Sequence, residues 1–475
     1  MSYDDTDIYS DKVLDDDNNM TNITKSRDMS NISENIVFKN EEEDLMIKDS
    51  EESDEPRVSY FGIFSDSKLS VIINLTSSTI GAGCLNFPAI LASLGLPITT
   101  IIFLFVSLCV FYTMDLLRHF VVDTKFFSFA LMTNEILGKQ WLKIYAVSSL
   151  IFYISIEINN LYTIYTILSQ MIELNGEHEF ILNLIYFFIS IIIEIFMCSY
   201  IAKTKRVHLF SFISSVLFMF ILIIIIIEGS KNMISGTDKF TKEKLISPPI
   251  SEKSQFFFSI MTHIIEYLYG YSYHSSYPTL LKNLKTVDDQ NTKDVHNISF
   301  LFIFVTYFLI TFFGFFTKHP VSHLIETKVG QKIMVIIIFR ILLCLFLLSV
   351  VPLRFIVIRD NYYSLLKRNE NSRKISFSRD LLYVTVILLL CNLVVYLTNE
   401  SILTFNFGIY CIRLFGGLFG VIIGFVLPVI NYIGANGKRK VKSIIGYILT
   451  GIFCIIGSLS VGYSLYGLWI NKKLD

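Results

Sequence analysis

The sequence predicts an all-α, polytopic membrane protein of about eleven transmembrane helices, the first and sixth of them interrupted. Three observations carry this reading. Apolar residues make up 53% of the chain and charged residues only 17%, whereas soluble domains carry about a quarter charged residues. Apolar runs longer than about 18 residues recur along the chain, each long enough to cross a bilayer as a helix. Two of these runs contain clusters of glycine, proline and small polar residues in their middle.

Residues 1–60 are polar, rich in Asp, Glu, Asn and Ser and poor in aromatics, and read as a disordered acidic tail. The chain begins polar and acidic, unlike a secretory signal peptide. Glu41-Glu42-Glu43-Asp44-Leu45-Met46 loosely resembles an acidic di-leucine sorting signal; the plainer reading is a solvated acidic stretch. Residues 61–475 form the transmembrane domain.

Hydropathy places the spans at 69–93, 97–118, 142–171, 180–201, 207–228, 254–285, 297–317, 332–358, 380–398, 402–432 and 442–470. Basic residues follow every even-numbered span. They are Arg118, Lys125, Lys139 and Lys143 after the second, then Lys203, Lys205 and Arg206 after the fourth. Lys282, Lys285 and Lys293 follow the sixth, Arg359, Lys367, Arg368, Arg373, Lys374 and Arg379 the eighth, and Lys438, Arg439, Lys440 and Lys442 the tenth. The opposite loops are acidic, mixed or very short, with Glu173, Glu177 and Glu179 after the third span and Glu400 after the ninth. Positive charge gathers on the cytosolic side, so the N-terminus is expected in the cytosol.

The first interruption is Asn74 to Pro88, NLTSSTIGAGCLNFP. Backbone groups freed by a helix break cost several kcal/mol each in hydrocarbon. The break is therefore tolerable only where it lines a polar cavity or a ligand. The second lies in the sixth span, where Gly270, Ser272, His274, Ser275, Ser276 and Pro278 follow one another closely. Broken spans at corresponding places of two halves mark an inverted-repeat transport site. Half-helix N-termini suit an anionic group such as a carboxylate, and unwound carbonyls suit an ammonium group or a cation. An α-amino acid carries both.

Ionisable residues inside spans are functional candidates by default. Glu157 lies in the third span near Asn159 and Asn160, and Glu266 lies one turn before Gly270. Arg340 and Arg413 are the basic counterparts in the eighth and tenth spans. Two roles stay open for the acids: an ion pair with either arginine, or a proton carrier whose charge is disfavoured by burial. Glu194 is nearer the cytosolic end and is expected to snorkel. His274 is either a titrating group or a hydrogen-bonded one. Tyr162 and Tyr165 share a helical face, and Tyr162 is the candidate to cap a substrate. Cys84, Cys109, Cys198, Cys344, Cys391, Cys411 and Cys454 all lie in apolar runs without metal-ligand or Cys-x-x-Cys spacing, so they read as small buried apolar side chains. A membrane-embedded enzyme is disfavoured, since the spans hold no His-rich cluster, paired-Asp motif or Gly-x-Ser-x-Gly elbow. A channel is disfavoured because two broken helices fit an occluded site better than a pore.

These motifs resemble the amino acid/auxin permease family. Asn74-Leu75 through Gly81, Gly83, Leu85 and Pro88 is similar to its first span, and Tyr271, His274 and Pro278 match its sixth-span pattern in order, with Lys282 in place of an acid. Gly314 to Thr317, Ser349 to Arg354 and Gly416-Gly417 to Pro428 resemble its later motifs. The resemblance covers about residues 65–470. It implies a leucine-transporter-like 5+5 inverted repeat with broken helices 1 and 6, working by alternating access. It also implies secondary transport of amino acids driven by a proton or sodium gradient, with no other cofactor. Carried over, Gly81, Ala82, Gly83 and Cys84 would hold the carboxylate, with Thr76 from the same polar stretch. Gly270, Tyr271 and His274 would complete the site; from the reading of the spans themselves Tyr162 joins it, and Glu266 and Glu157 stand with Ser349 as the candidates for ion coupling. Related folds hold sodium with a hydroxyl one position beyond Ser349, where Val350 stands here, which tilts the reading toward protons. The expected partners are an amino acid and the lipid bilayer, without nucleic acid, around a monomer. The membrane is that of the cell surface or of a vacuole-like or lysosome-like compartment. The alternative is a membrane amino acid sensor signalling through its cytosolic tail.

Overall fold

The computed structural model describes residues 68–171, 192–193, 195–196, 207–235, 253–271, 273–317, 333–365, 385–394, 412–436 and 441–474. The 1–60 tail with its Glu41–Met46 stretch, most of the fourth span at 180–201 with Glu194, and the loop carrying Arg368 and Arg373 lie outside the described residues. All regular structure among the described residues is helical. Among the described residues seven helices are long and apolar enough to cross a membrane, and a bent pair makes an eighth if its two halves count as one span.

That bent pair is the first predicted span. Helix α1 (Lys68–Thr79) stops, the chain makes a 3-10 turn over Ala82–Asn86, and α2 (Phe87–Leu94) resumes at 57° to the first half. Pro88 opens α2, where its missing N–H leaves no bond unmade. Gly95, at φ 76°, then turns the chain sharply into α3 (Leu96–Thr124); a residue with a Cβ adopts that φ only with strain. A short helix that hydropathy does not foresee, α4 (Phe129–Leu137), is capped by the Ser128 hydroxyl, which accepts from the Leu131 amide at 3.4 Å. The long α5 (Lys139–Met171) and α6 (Val207–Ser235) come next.

The sixth span divides as its residues require. Helix α7 (Lys253–Gly270) ends at the glycine, Tyr273 to Ser276 form a turn, and α8 (Tyr277–Leu281) begins on Pro278. Beyond it lie α9 (Asp289–Phe316), α10 (Ile333–Leu365), α11 (Thr385–Val394), α12 (Ile412–Ala435) and α13 (Val441–Leu474). Helix α9 starts two turns earlier than hydropathy places it, because Asp288 caps it with a 2.6 Å bond from the Asn291 amide.

Packing follows membrane rather than aqueous logic. Ile101, Leu104 and Leu108 of α3, Phe220, Ile223 and Ile227 of α6, and Leu301 and Phe308 of α9 point outward. Asn74, Ser107, Thr113, Ser149 and Thr311 point inward. In lipid, helices associate through close packing and interhelical hydrogen bonds. Helix α10 packs most extensively on α5 and α6, and α9 packs on α6, α1 and α2. Helix α12 contains two π-helical turns, Gly416–Gly420 and Ile422–Val426. Its glycines permit close approach: a Cβ on Gly417 would meet the Gly457 carbonyl of α13 at 3.1 Å, and one on Gly420 would meet Phe152 of α5 at 3.1 Å.

Candidate functional site

The two breaks lie side by side. Phe87, the first residue of α2, packs its ring on Tyr267 (4.5 Å between centroids) and edge-on to Tyr307 (5.1 Å). A Cβ on Gly270 would lie 2.5 Å from Phe87 Cζ, so glycine is what lets the second break reach the first. Tyr307 of α9 links them again. Its hydroxyl lies 2.7 Å from the Gly270 carbonyl and 3.3 Å from the Thr79 carbonyl, the ends of α7 and α1. Carbonyls at helix C-termini lack intrahelical partners, and here a buried phenol donates to that of Gly270, with that of Thr79 within reach.

Between the breaks is a cavity lined by Ser78, Thr79, Gly81, Gly83, Cys84, Tyr153, Ile156, Tyr269, Gly270 and Arg354. Gly81 is fully extended (φ −160°, ψ −169°). The Cys84 amide and thiol both donate to its carbonyl, at 3.3 and 3.0 Å. Tyr269 covers Gly83, where an added Cβ would meet the ring at 3.3 Å, and itself stacks edge-on with Phe152 of α5. Four residues expected from the sequence, Gly81, Gly83, Cys84 and Gly270, thus line one cavity. Ala82 opens the 3-10 turn between them.

The other expected residues stand around it. Thr76 bonds back into α1 through the Ile72 carbonyl at 2.8 Å. The Tyr271 hydroxyl bonds to Ser107 of α3 at 2.9 Å. His274 Nε2 faces Thr113 of α3 at 3.1 Å, and its ring lies against Gly424 of α12. Tyr162 is buried in α5, but that helix lines the cavity with Tyr153 and Ile156 instead. The Ser349 hydroxyl donates to the Phe346 carbonyl within α10 at 2.7 Å.

Both acids are buried and both face arginine. Glu266 accepts from Arg413 Nε at 2.6 Å and pairs with His263 Nδ1 at 3.0 Å; His263 Nε2 in turn meets Ser93 of α2 at 2.9 Å. This is the ion pair that the sequence leaves open, and it ties α2, α7 and α12 together. Glu157 departs from expectation. Its partner is neither Arg340 nor Arg413 but Arg354 of α10, at 3.9 Å. Neither oxygen of Glu157 accepts a hydrogen bond among the described residues. Arg354 is 4% exposed, and its guanidinium presses on Gly81 so closely that any Cβ there would collide with Nη2. Sequence reasoning passes over Arg354, although an arginine inside the eighth span is the signal to seize on.

Two solved structures share this fold at low sequence identity. A substrate-bound, outward-open Na+-coupled sialic acid symporter aligns with TM-score 0.52 and 13% identity over 84% of this chain and 88% of its own. MhsT in complex with L-phenylalanine aligns with TM-score 0.52 and 15% identity over 84% of this chain and 98% of its own. A search of curated proteins finds no match. The family model for transmembrane amino acid transporter proteins matches residues 65–470. The chain therefore belongs to the transmembrane amino acid transporter family, and it is an integral multi-pass membrane transporter rather than an enzyme.

Proposed function

We infer that the chain carries out secondary active transport of amino acids by alternating access. The frame is an eleven-span, leucine-transporter-like 5+5 inverted repeat driven by an ion gradient. The observation that carries this reading is the cavity between the two breaks, lined by Gly81, Gly83, Cys84 and Gly270. It has the polar backbone and aromatic walls that an α-amino acid needs at membrane depth. That MhsT, solved with L-phenylalanine, shares the fold supports an amino acid as the substrate. Thr76, Ala82, Tyr162, Tyr271 and His274 form the surround of the site. Residues 1–60 form a cytosolic tail, and the transporter works in the surface membrane or that of a vacuole-like compartment.

The charged helix ends support the span order, which sets these four ends on one side. Lys68 of α1 pairs with Asp294 of α9 at 2.7 Å. Arg118 of α3 pairs with Asp115 at 3.0 Å and with Asp289 of α9 at 2.6 Å. Lys442 of α13 reaches Asp115 at 3.4 Å. The start of the first span, the end of the second and the starts of the seventh and eleventh all belong on the cytosolic side when the N-terminus does.

Purified protein in proteoliposomes, offered a panel of radiolabelled amino acids with and without a pH gradient, should accumulate at least one of them. Gly83→Val should abolish that uptake while the protein still reaches its membrane, because a branched side chain would drive into Tyr269. Undiminished uptake by this variant rules the cavity out as the site.

A further inference from the structure

We propose that Arg354 is the built-in cation of the transport site: its guanidinium receives the carboxylate of the substrate, and no metal cation shares the cavity, so that transport is independent of sodium. The proposal rests on the transport reading above and deepens it.

The placement comes first. Arg354 projects from α10 into the cavity between the breaks, against the Cα of Gly81. A Cβ at position 81 would force the guanidinium to move aside. The side chain is buried, yet Arg354 Nη1 makes no hydrogen bond among the described residues. The nearest carboxylate, Glu157, stands at 3.9 Å, beyond hydrogen-bond reach. The guanidinium is thus neutralised at a distance while a donor remains open in the cavity wall. Buried donors are rarely left so. A planar fork of N–H groups matches a carboxylate in two parallel bonds.

The charge count points the same way. Arg354 and Glu157 sum to zero, and a zwitterionic amino acid adds zero, so the pair accepts it without leaving net charge in a medium of low dielectric. A sodium ion adds a positive charge. Among the residues lining the cavity none is acidic and one, Arg354, is basic. Repulsion from the guanidinium, which lines the cavity where Glu157 does not, disfavours a metal cation beside it. The hydroxyls at hand, Ser78 and Thr79, donate to the Leu75 carbonyl at 2.9 and 2.7 Å, so the cavity offers a cation only neutral oxygens and no carboxylate. The sodium arm of the sequence expectation therefore does not fit the residues present, although the sialic acid symporter on the same fold is Na+-coupled.

The test uses the full-length protein in proteoliposomes and a mixture of radiolabelled L-amino acids. Wild-type uptake should be equal in sodium, potassium and choline buffers, and sodium alone should leave the melting temperature of the purified protein unchanged. Arg354→Gln should lower uptake by about 30-fold or more, the effect of removing one partner from a buried charged contact. Arg354→Lys should restore part of it. Uptake by the wild type that requires sodium, or a melting temperature raised by sodium alone, overturns the proposal and leaves amino acid transport standing. Undiminished uptake by Arg354→Gln overturns the carboxylate role. If Arg354→Gln does not reach the liposomes, the sodium series on the wild type decides alone. Wild-type protein that melts cooperatively yet takes up no amino acid in any buffer defeats the transport reading itself.

Discussion

Glu266 is held from two sides, by Arg413 at 2.6 Å and by His263 at 3.0 Å; the carboxylate and the imidazole are buried and the guanidinium is partly so. Removing one partner of a buried ion pair leaves the other charge uncompensated, at about 3 kcal/mol or more. Glu266→Gln should therefore lower the thermal stability of the purified protein by roughly that amount while leaving the pH profile of uptake in place. A shifted pH profile with unchanged stability would mark Glu266 as a proton carrier instead. The residue types at this pair are legible in the sequence, since both Glu266 and Arg413 stand inside apolar runs. Arg354 is not, for a local reason. It stands near the end of the eighth span that hydropathy places at 332–358, but the helix carries on to Leu365, so an arginine near a predicted span end sits in the cavity wall. Nor does spacing reveal that Glu157, far away in the chain, packs opposite it.

Helix interruptions are the most legible elements, because glycine, proline and clustered hydroxyls act on the backbone locally, whatever packs around them. Both breaks fall where those residues stand, around Gly81 and after Gly270. The contact between the breaks is not legible, since it depends on Phe87 lying over Gly270. Gly270→Ala places a Cβ 2.5 Å from Phe87 Cζ, an overpacking that should cost about 1–3 kcal/mol. Trimming Phe87 to Leu in the same protein should recover most of that loss in a thermal melt; no recovery would mean the two breaks do not press on each other. Helix α4 escapes a hydropathy window because nine residues are too few for it, although Ser128 and Gly138 flank it with cap signals. The π turns of α12 escape as well, because glycine spacing reports close approach and not the widened hydrogen-bond ring.

At the scale of the whole molecule, the charged ends of α3, α9 and α13 gather around buried Arg118, which adds Thr292 at 3.4 Å to its two aspartates, while Lys68 of α1 pairs with Asp294 further along α9. A cysteine introduced in the loop of Arg368 and Arg373 should react with a membrane-impermeant reagent only from the cytosolic face. Labelling of intact cells from outside would invert the orientation. The Tyr307 phenol has a consequence for how such a frame moves. A hydroxyl carries one proton and makes one strong bond at a time. Here the hydroxyl oxygen lies nearer the Gly270 carbonyl than that of Thr79, 2.7 against 3.3 Å. Any tilt that draws α1 toward α9 recruits the proton to Thr79 and releases Gly270, and the reverse tilt returns it. The two broken helices are thus rivals for a single donor, and the loosening of one is the tightening of the other.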